Sequence, residues 1–474
     1  MLGIALFAVL TPVYFHAIGA ERYGVITVIL SLSMYVATFN FGLGPALTYQ
    51  VAGPLRDDIP AQSEAFWSAM AFSTPLGLVA SIIIFGLLPI GLADLMHMSP
   101  TVRTETGAAF LPLVGIGLCT ILSANVRGVW HGRQAFVTLS VFGAFETVLT
   151  ILMPVLAALY WSPDIGVLLY ATLWTRSLLL VGGTLVLAGA KFQRLYPRIS
   201  LLPVRAMLGY GGWVTLSTLV ETVVSSADRL VLGAVSGAGQ IPVYSIPLSL
   251  TSRSMILPFS LISTIFPKLV GADAEREHIL LDKTVRFVLL LTPGYLVVGV
   301  AAAPLLRYWI SRDFADQATW SLQILAIAFW IEGVSTIYYS LLNARRQTRA
   351  NFLIGSGAIL PYGLALVAGA WAFGAAGVAT VFLLRTLGTL IARALWSDAH
   401  WSEVRAISVN LAPLLIGVLV APHAWSTLTV AQVGLGSGAV LASVAMCLWT
   451  RPSDMLALAR AILPSRRSKI GVLP

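Results

Sequence analysis

Glu146, Arg176, Glu221, Asp228, Arg229, Arg253, Glu332 and Arg385 all stand inside long apolar runs of the sequence. Such residues serve three kinds of chemistry. An arginine can hold a phosphate-like anion by charge-assisted hydrogen bonds. A carboxylate can exchange a proton or coupling ion, and a charge pair can orient two helices and do nothing more. Spacing assigns them to faces. Thr218, Glu221, Ser225 and Asp228 recur at intervals of three and four, as do Ser245, Ser249, Ser252/Arg253 and Ser260. Glu332, Ser335, Tyr339 and Asn343 form a third stripe, and Thr27, Ser31 and Thr38 a fourth, each along one side of a helix. With about 1.5 Å of rise per residue, Arg253 and Glu221 lie roughly 18 to 21 Å from the ends of their runs and are expected to face each other. Glu146 and Arg176, on adjacent runs, make a second expected pair. Asp228 and Arg229 point about 100° apart on a helix and cannot share one narrow face.

The elements that position these residues follow from composition. The chain is 58% hydrophobic and only 10% charged, with a mean hydropathy of +0.87, far outside the range of soluble globular proteins. Runs long enough to cross a bilayer appear at about 2–18, 22–50, 66–90, 107–127, 134–160, 164–190, 208–235, 241–270, 285–309, 317–342, 350–372, 376–396, 406–421 and 427–449. The last two are short, so the expected fold is an all-α polytopic membrane protein of 12 to 14 transmembrane helices. Lys and Arg alternate accordingly. Arg56, Arg127, Arg133, Lys191, Arg194, Lys268, Arg276, Arg345, Arg346, Arg405 and the tail "RRSK" fall on one set of loops, against only Arg22, Arg103, Arg307 and Arg312 on the other. That bias places both termini in the cytoplasm. It also accounts for the net charge of +9 without a nucleic-acid partner.

No soluble domain interrupts the runs. The six histidines show no metal-binding spacing, and there is no P-loop, H-E-x-x-H or G-x-S-x-G, so no cofactor, metal or catalytic residue is expected. Cys119 and Cys447 lie in separate runs and read as small core residues. An echo at a shift of 218 residues joins "GAERYGVITVILSLS" from Gly19 to "GAGQIPVYSIPLSLT" from Gly237. It predicts two parallel six-helix repeats, related by an axis along the membrane normal. The expected organisation is a lobe at 1–196, a second at 197–400, an added helix pair at 401–450 and a basic cytoplasmic tail at 451–474.

"IGAERYGVI", "FGLGPAL", "SSADRLVLGAVSGAGQIPVYSIPLSL", "STIFPKLVG" and "LLNARRQTR", in this order, resemble the polysaccharide-type (Wzx-like) flippases of the multidrug, oligosaccharidyl-lipid and polysaccharide exporter superfamily. The resemblance implies two lobes around a central cavity in the bacterial inner membrane, working by alternating access. It implies a cargo of undecaprenyl-pyrophosphate-linked oligosaccharide destined for O-antigen, capsule or exopolysaccharide. Membrane lipid is an expected partner, with polysaccharide polymerase and chain-length proteins as candidates. Arg253 is then the first choice for the diphosphate, followed by Arg22, Arg229, Arg176 and Arg385, and Glu221, Asp228, Glu332 and Glu146 are left for ion coupling or pairing. A multidrug exporter of the same superfamily would build its cavity on carboxylates without balancing arginines. A membrane polymerase or ligase would need larger external loops than "GLADLMHMSPTVRTETG" provides.

Overall fold

A computed structural model describes residues 2–86, 93–189, 199–200, 226–269, 273–345, 347–421 and a few positions between 438 and 443. Among them every regular element is a helix. Hydrocarbon offers no partner for backbone N–H and C=O groups, and a helix satisfies them internally. Among the described residues, ten helices are long and apolar enough to cross a membrane. Their outward faces carry large apolar side chains such as Leu111, Val137, Leu178 and Leu360, all more than 60% exposed, as a lipid-facing surface requires.

Two of the ten each account for two expected spans. Leu2–Thr38 is interrupted at Gly19 (φ 81°, ψ 166°). Tyr14 and Tyr23 stack with ring centroids 5.9 Å apart, although nine residues of straight helix would separate them by about 13 Å. The chain therefore turns back on itself at Gly19. Ile359–Trp396 does the same at Gly374 (φ 57°, ψ −132°), where Gly377 returns against the carbonyl of Gly369. Both reversals use a backbone conformation that side chains disfavour. Gly237, the repeat partner of Gly19, adopts φ 86° and ψ 160°, so the sequence echo marks the same turn made twice.

The chain packs as two compact units, residues 1–242 and 243–474. The expected lobe boundary at 196/197, the tail at 451–474 and Glu221 lie outside the described residues. In the first unit, Val25, Ile29 and Val36 are fully buried with Leu113, Ile116 and Ile121. Leu43, Phe66 and Trp130 form a second core. Between them the predicted 22–50 span is broken: its helix ends at Thr38 and restarts at Leu43. The interruption is pinned by a buried polar triad. Asn40 donates to Asn125 (3.3 Å), Asn125 to Ser73 (2.9 Å) and Ser73 back to Asn40 (2.8 Å).

The second unit is organised around Arg312–Ala344, buried along most of its length and started by Ser311, whose hydroxyl accepts from the Phe314 N–H at 3.2 Å. Trp330 donates to Thr292 (2.9 Å) and Gln323 to the Gly299 carbonyl (3.2 Å), so the helices against it are held by polar contacts as well as packing. The expected continuous helix 241–270 is instead Ile241–Ser252, a 3-10 turn at Arg253–Met255, and Ile256–Leu269. Pro258 supplies the reason. It has no N–H for the Ser254 carbonyl four residues back, and its ring crowds that carbonyl.

Candidate functional site

The ionisable residues fall into several separate settings. In the first unit, a cavity of about 180 Å³ opens between the arms of the Gly19 hairpin and the helices Phe136–Tyr160 and Ile165–Gly189. Its walls are mostly apolar, including Phe7, Leu10, Ile26, Leu30 and Ile151, and its polar groups are Thr11, Tyr14, Tyr23, Thr150, Thr172 and Arg176. Arg176 donates to Thr120, and its buried Nε has no hydrogen-bond partner among the described residues.

The expected Glu146–Arg176 ion pair is not what forms. Arg127 donates to both carboxylate oxygens of Glu146, at 2.8 and 2.9 Å. The charge distribution places Arg127 on a loop, but Phe110–Gly132 carries it inside the helix. It sits seven residues, two turns, after Thr120 and so on the same face. That spacing was the available signal, and a partner for Thr120 on the facing helix would have exposed it.

The charges of "SSADRL" meet the stripe of Thr27 and Ser31. Arg229 donates to Ser31 (2.7 Å), Ser31 to the Thr27 carbonyl (2.8 Å), and Ser226 to the Tyr35 hydroxyl (2.8 Å). Asp228, 2% exposed, accepts from the Arg229 backbone N–H at 2.8 Å.

Arg22 lies at the Gly19 turn and is engaged by Glu105, donating from Nη2 (2.5 Å) and Nε (2.9 Å) in a two-pronged clamp. Glu105 also accepts from the Ile165 N–H (3.3 Å), and Glu21 beside the clamp accepts from the Ser99 N–H (2.6 Å). Burial pushes the Glu105 carboxyl up, but the Arg22 hydrogen bond, the Ile165 N–H and the guanidinium charge outweigh it and hold the carboxyl below its usual range. A carboxylate whose folded pKa is lowered contributes stability that is fully present above its unfolded value of about 4.3, and is lost as pH falls through the folded one. The midpoint of thermal unfolding should therefore drop between neutral pH and pH ~3.5 by more in the wild type than in Glu105→Gln. Equal drops would show that the clamp contributes nothing.

In the second unit Arg253 occupies the 3-10 turn, beside Ser254, whose hydroxyl pairs with that of Tyr295 at 2.5 Å. Arg385 lies over the rings of Tyr362 (4.8 Å) and Phe382 (5.3 Å), a cation–π setting. The stripe of Glu332, Ser335 and Tyr339 meets Arg393, which donates to Ser335 (2.7 Å), lies 5.1 Å over Tyr339 and feels the charge of Glu332. Two further groupings went unread in the sequence. Arg345 grips buried Glu277 (2.6 Å) while donating to the Ser397 carbonyl (3.0 Å), and Glu403, 1% exposed, accepts from Tyr338 (2.8 Å). No group of His, Cys, Asp and Glu among the described residues is arranged to hold a metal.

Among the described residues the chain is an all-helical, multi-pass membrane protein with arginines inside its spans. The chain belongs to the polysaccharide biosynthesis protein family, which matches residues 18–319. It is 19% identical over 350 residues to a Shigella flexneri protein named for O-antigen transport, covering 73% of this chain and 82% of that one. Its fold is similar to an inward-facing multidrug resistance MATE transporter of the MOP superfamily (TM-score 0.68, 12% identity, 86% of this chain and 95% of the other). The lipid II flippase MurJ, in an inward closed conformation, is similar to the same degree (TM-score 0.67, 14% identity, 94% and 96%). The expected Wzx-like membership and polytopic helical fold therefore hold.

Proposed function

We propose that this transporter flips an undecaprenyl-pyrophosphate-linked oligosaccharide across the bacterial cytoplasmic membrane, by alternating access of two six-helix lobes (1–196 and 197–400), with both termini in the cytoplasm. The observation that carries this reading is a pair of arginines within the spans, Arg176 and Arg385, set against a hydroxyl and aromatic rings instead of carboxylates among the described residues. Arg176 donates to a hydroxyl and Arg385 stacks on aromatic rings, while Glu146 is spent on Arg127. A diphosphate cannot enter hydrocarbon alone, and arginine is the side chain whose planar donors suit it. A cavity for cationic drugs would leave carboxylates over instead.

Arg253 is the leading candidate for the headgroup, because a broken helix frees backbone groups beside its charge. Arg229, Arg22 and Arg385 are secondary. Glu332 and Asp228 are candidates for coupling, together with Glu221. Polymerase and chain-length proteins would take up the product.

The test compares lipid extracts of cells lacking the protein with cells carrying Arg253→Ala or Arg385→Ala, scoring lipid-linked oligosaccharide and its sidedness. Removing a charge-assisted partner should cut delivery to the outer leaflet by about tenfold or more, with finished oligosaccharide accumulating on the inner one. If lipid-linked units still cross in the deletion strain, the reading fails.

A further inference from the structure

The cavity of the first unit is too small for the proposed cargo. At about 180 Å³ it lies below the roughly 300 Å³ at which sites for drug-sized molecules begin, and an oligosaccharide is larger still. Its one charged lining residue is Arg176, whose nearest charges are Glu146 and Arg127. Because Arg127 and Glu146 satisfy each other, the three groups leave one positive charge uncompensated at membrane depth, where an isolated cation costs several kcal/mol. Among the described residues Arg176 has one direct hydrogen-bond partner, Thr120, and its Nε is a buried donor still to be satisfied.

The remaining polar groups define the ligand. Thr150 and Thr172 spend their protons on the carbonyls of Glu146 and Leu168, so they offer no donor to the cavity. The hydroxyls of Tyr14 and Thr11 are not committed in this way. The cavity thus offers one guanidinium and the hydroxyls of Tyr14, Thr11 and Tyr23 inside apolar walls. A dianion such as phosphate would be left with unpaired charge and unsatisfied lone pairs. A monovalent anion of modest hydration would be neutralised by Arg176 and would lose far less hydration than a dianion on entering an apolar site.

We propose that this cavity is a binding site for a monovalent anion of halide size, with chloride as the probe, held by Arg176 together with Tyr14 and Thr11, and separate from the cargo site. The proposal does not depend on what the transporter carries. Occupancy would complete the charge balance of Arg127, Glu146 and Arg176 and brace the Gly19 hairpin against the helices Phe136–Tyr160 and Ile165–Gly189.

The purified full-length protein in detergent should show a midpoint of thermal unfolding that rises by several degrees as sodium gluconate is exchanged for sodium chloride at constant ionic strength. The rise should follow ln(1 + [Cl⁻]/Kd), with bromide acting like chloride and phosphate having no effect. Arg176→Gln should abolish the chloride dependence, and Arg253→Gln should retain it. A wild type indifferent to chloride, or an Arg176→Gln protein that still responds, would overturn the proposal. So would a dependence lost with Arg253 and kept without Arg176. If Arg176→Gln does not fold, bromide-soaked crystals of the wild type decide the matter. An anomalous peak within hydrogen-bonding distance of Arg176 supports the site, and a cavity with no peak refutes it. Failure of lipid translocation with the chloride response intact would count against the flippase reading alone.

Discussion

Gly377→Val should yield little folded protein, and what folds should unfold well below the wild type. A Cβ at Gly377 would lie 1.9 Å from the carbonyl oxygen of Gly369 and 2.6 Å from its carbon. Both are backbone atoms, so no rotamer change relieves the clash and the two arms of the hairpin must part. The contact is mutual: a Cβ at Gly369 would lie 3.0 Å from the Gly377 carbonyl oxygen and 2.9 Å from Cγ2 of Val381. Overpacking a well-filled core costs about 1–3 kcal/mol, and the upper part of that range applies where main chain meets main chain. Gly363→Ala and Gly388→Ala lie on the same two arms with nothing within 4 Å, and should behave like the wild type. The comparison is made by size-exclusion yield and thermal unfolding of the three variants in one detergent. An unfolding midpoint for Gly377→Val equal to that of Gly363→Ala would mean that the arms are not in contact.

The second large effect belongs to Glu277. Its carboxylate, with a side chain 10% exposed, is gripped by Arg345 through Nη2 and Nε, and Arg345 reaches on to the Ser397 carbonyl. One ion pair therefore fastens Ala274–Leu289 and Arg312–Ala344 to the turn that follows Trp396. Glu277→Ala leaves a guanidinium with a single carbonyl partner, and stranding a buried charge in this way costs about 3 kcal/mol. Replacing both partners, as in Glu277→Ala/Arg345→Met, removes the stranded charge and should recover much of that loss. A double-mutant cycle from chemical or thermal unfolding measures the coupling directly. Strict additivity of the two single changes would show that the pair contributes no coupling.

The helices were legible in the sequence because the bilayer imposes one requirement on every span, and apolar length reports it. The stripes were legible because period 3.6 survives packing: Ser31 and Thr27 do meet Arg229, and Ser335 meets Arg393. Partner choice was less legible. Glu146 and Arg176 stand at similar depth on adjacent helices, yet Arg127 takes the carboxylate because its helix extends to Gly132, beyond where hydropathy ended it. A charged residue near the end of a run reads as loop even when the helix continues through it. Helix interruptions were hidden for a related reason. Asn40 and Pro258 each mark a break in a run that stays apolar overall. The Gly19 and Gly237 echo, by contrast, was visible because a left-handed turn leaves glycine little substitute.

The turn at Gly374 bears on how the chain is made. From Leu360 to Leu384 the sequence contains no charged residue, and the reversal is accomplished at a single glycine with Trp371 and Phe373 exposed beside it. No hydrophilic loop exists for the insertion machinery to pass through the membrane between these two helices. Neither arm has an independent cue to stop or start at that end, and a lone first arm would expose the main-chain contact that Gly377 later covers. The two arms are therefore expected to enter the lipid as one helical hairpin, residues 359–396, not as two separately placed spans.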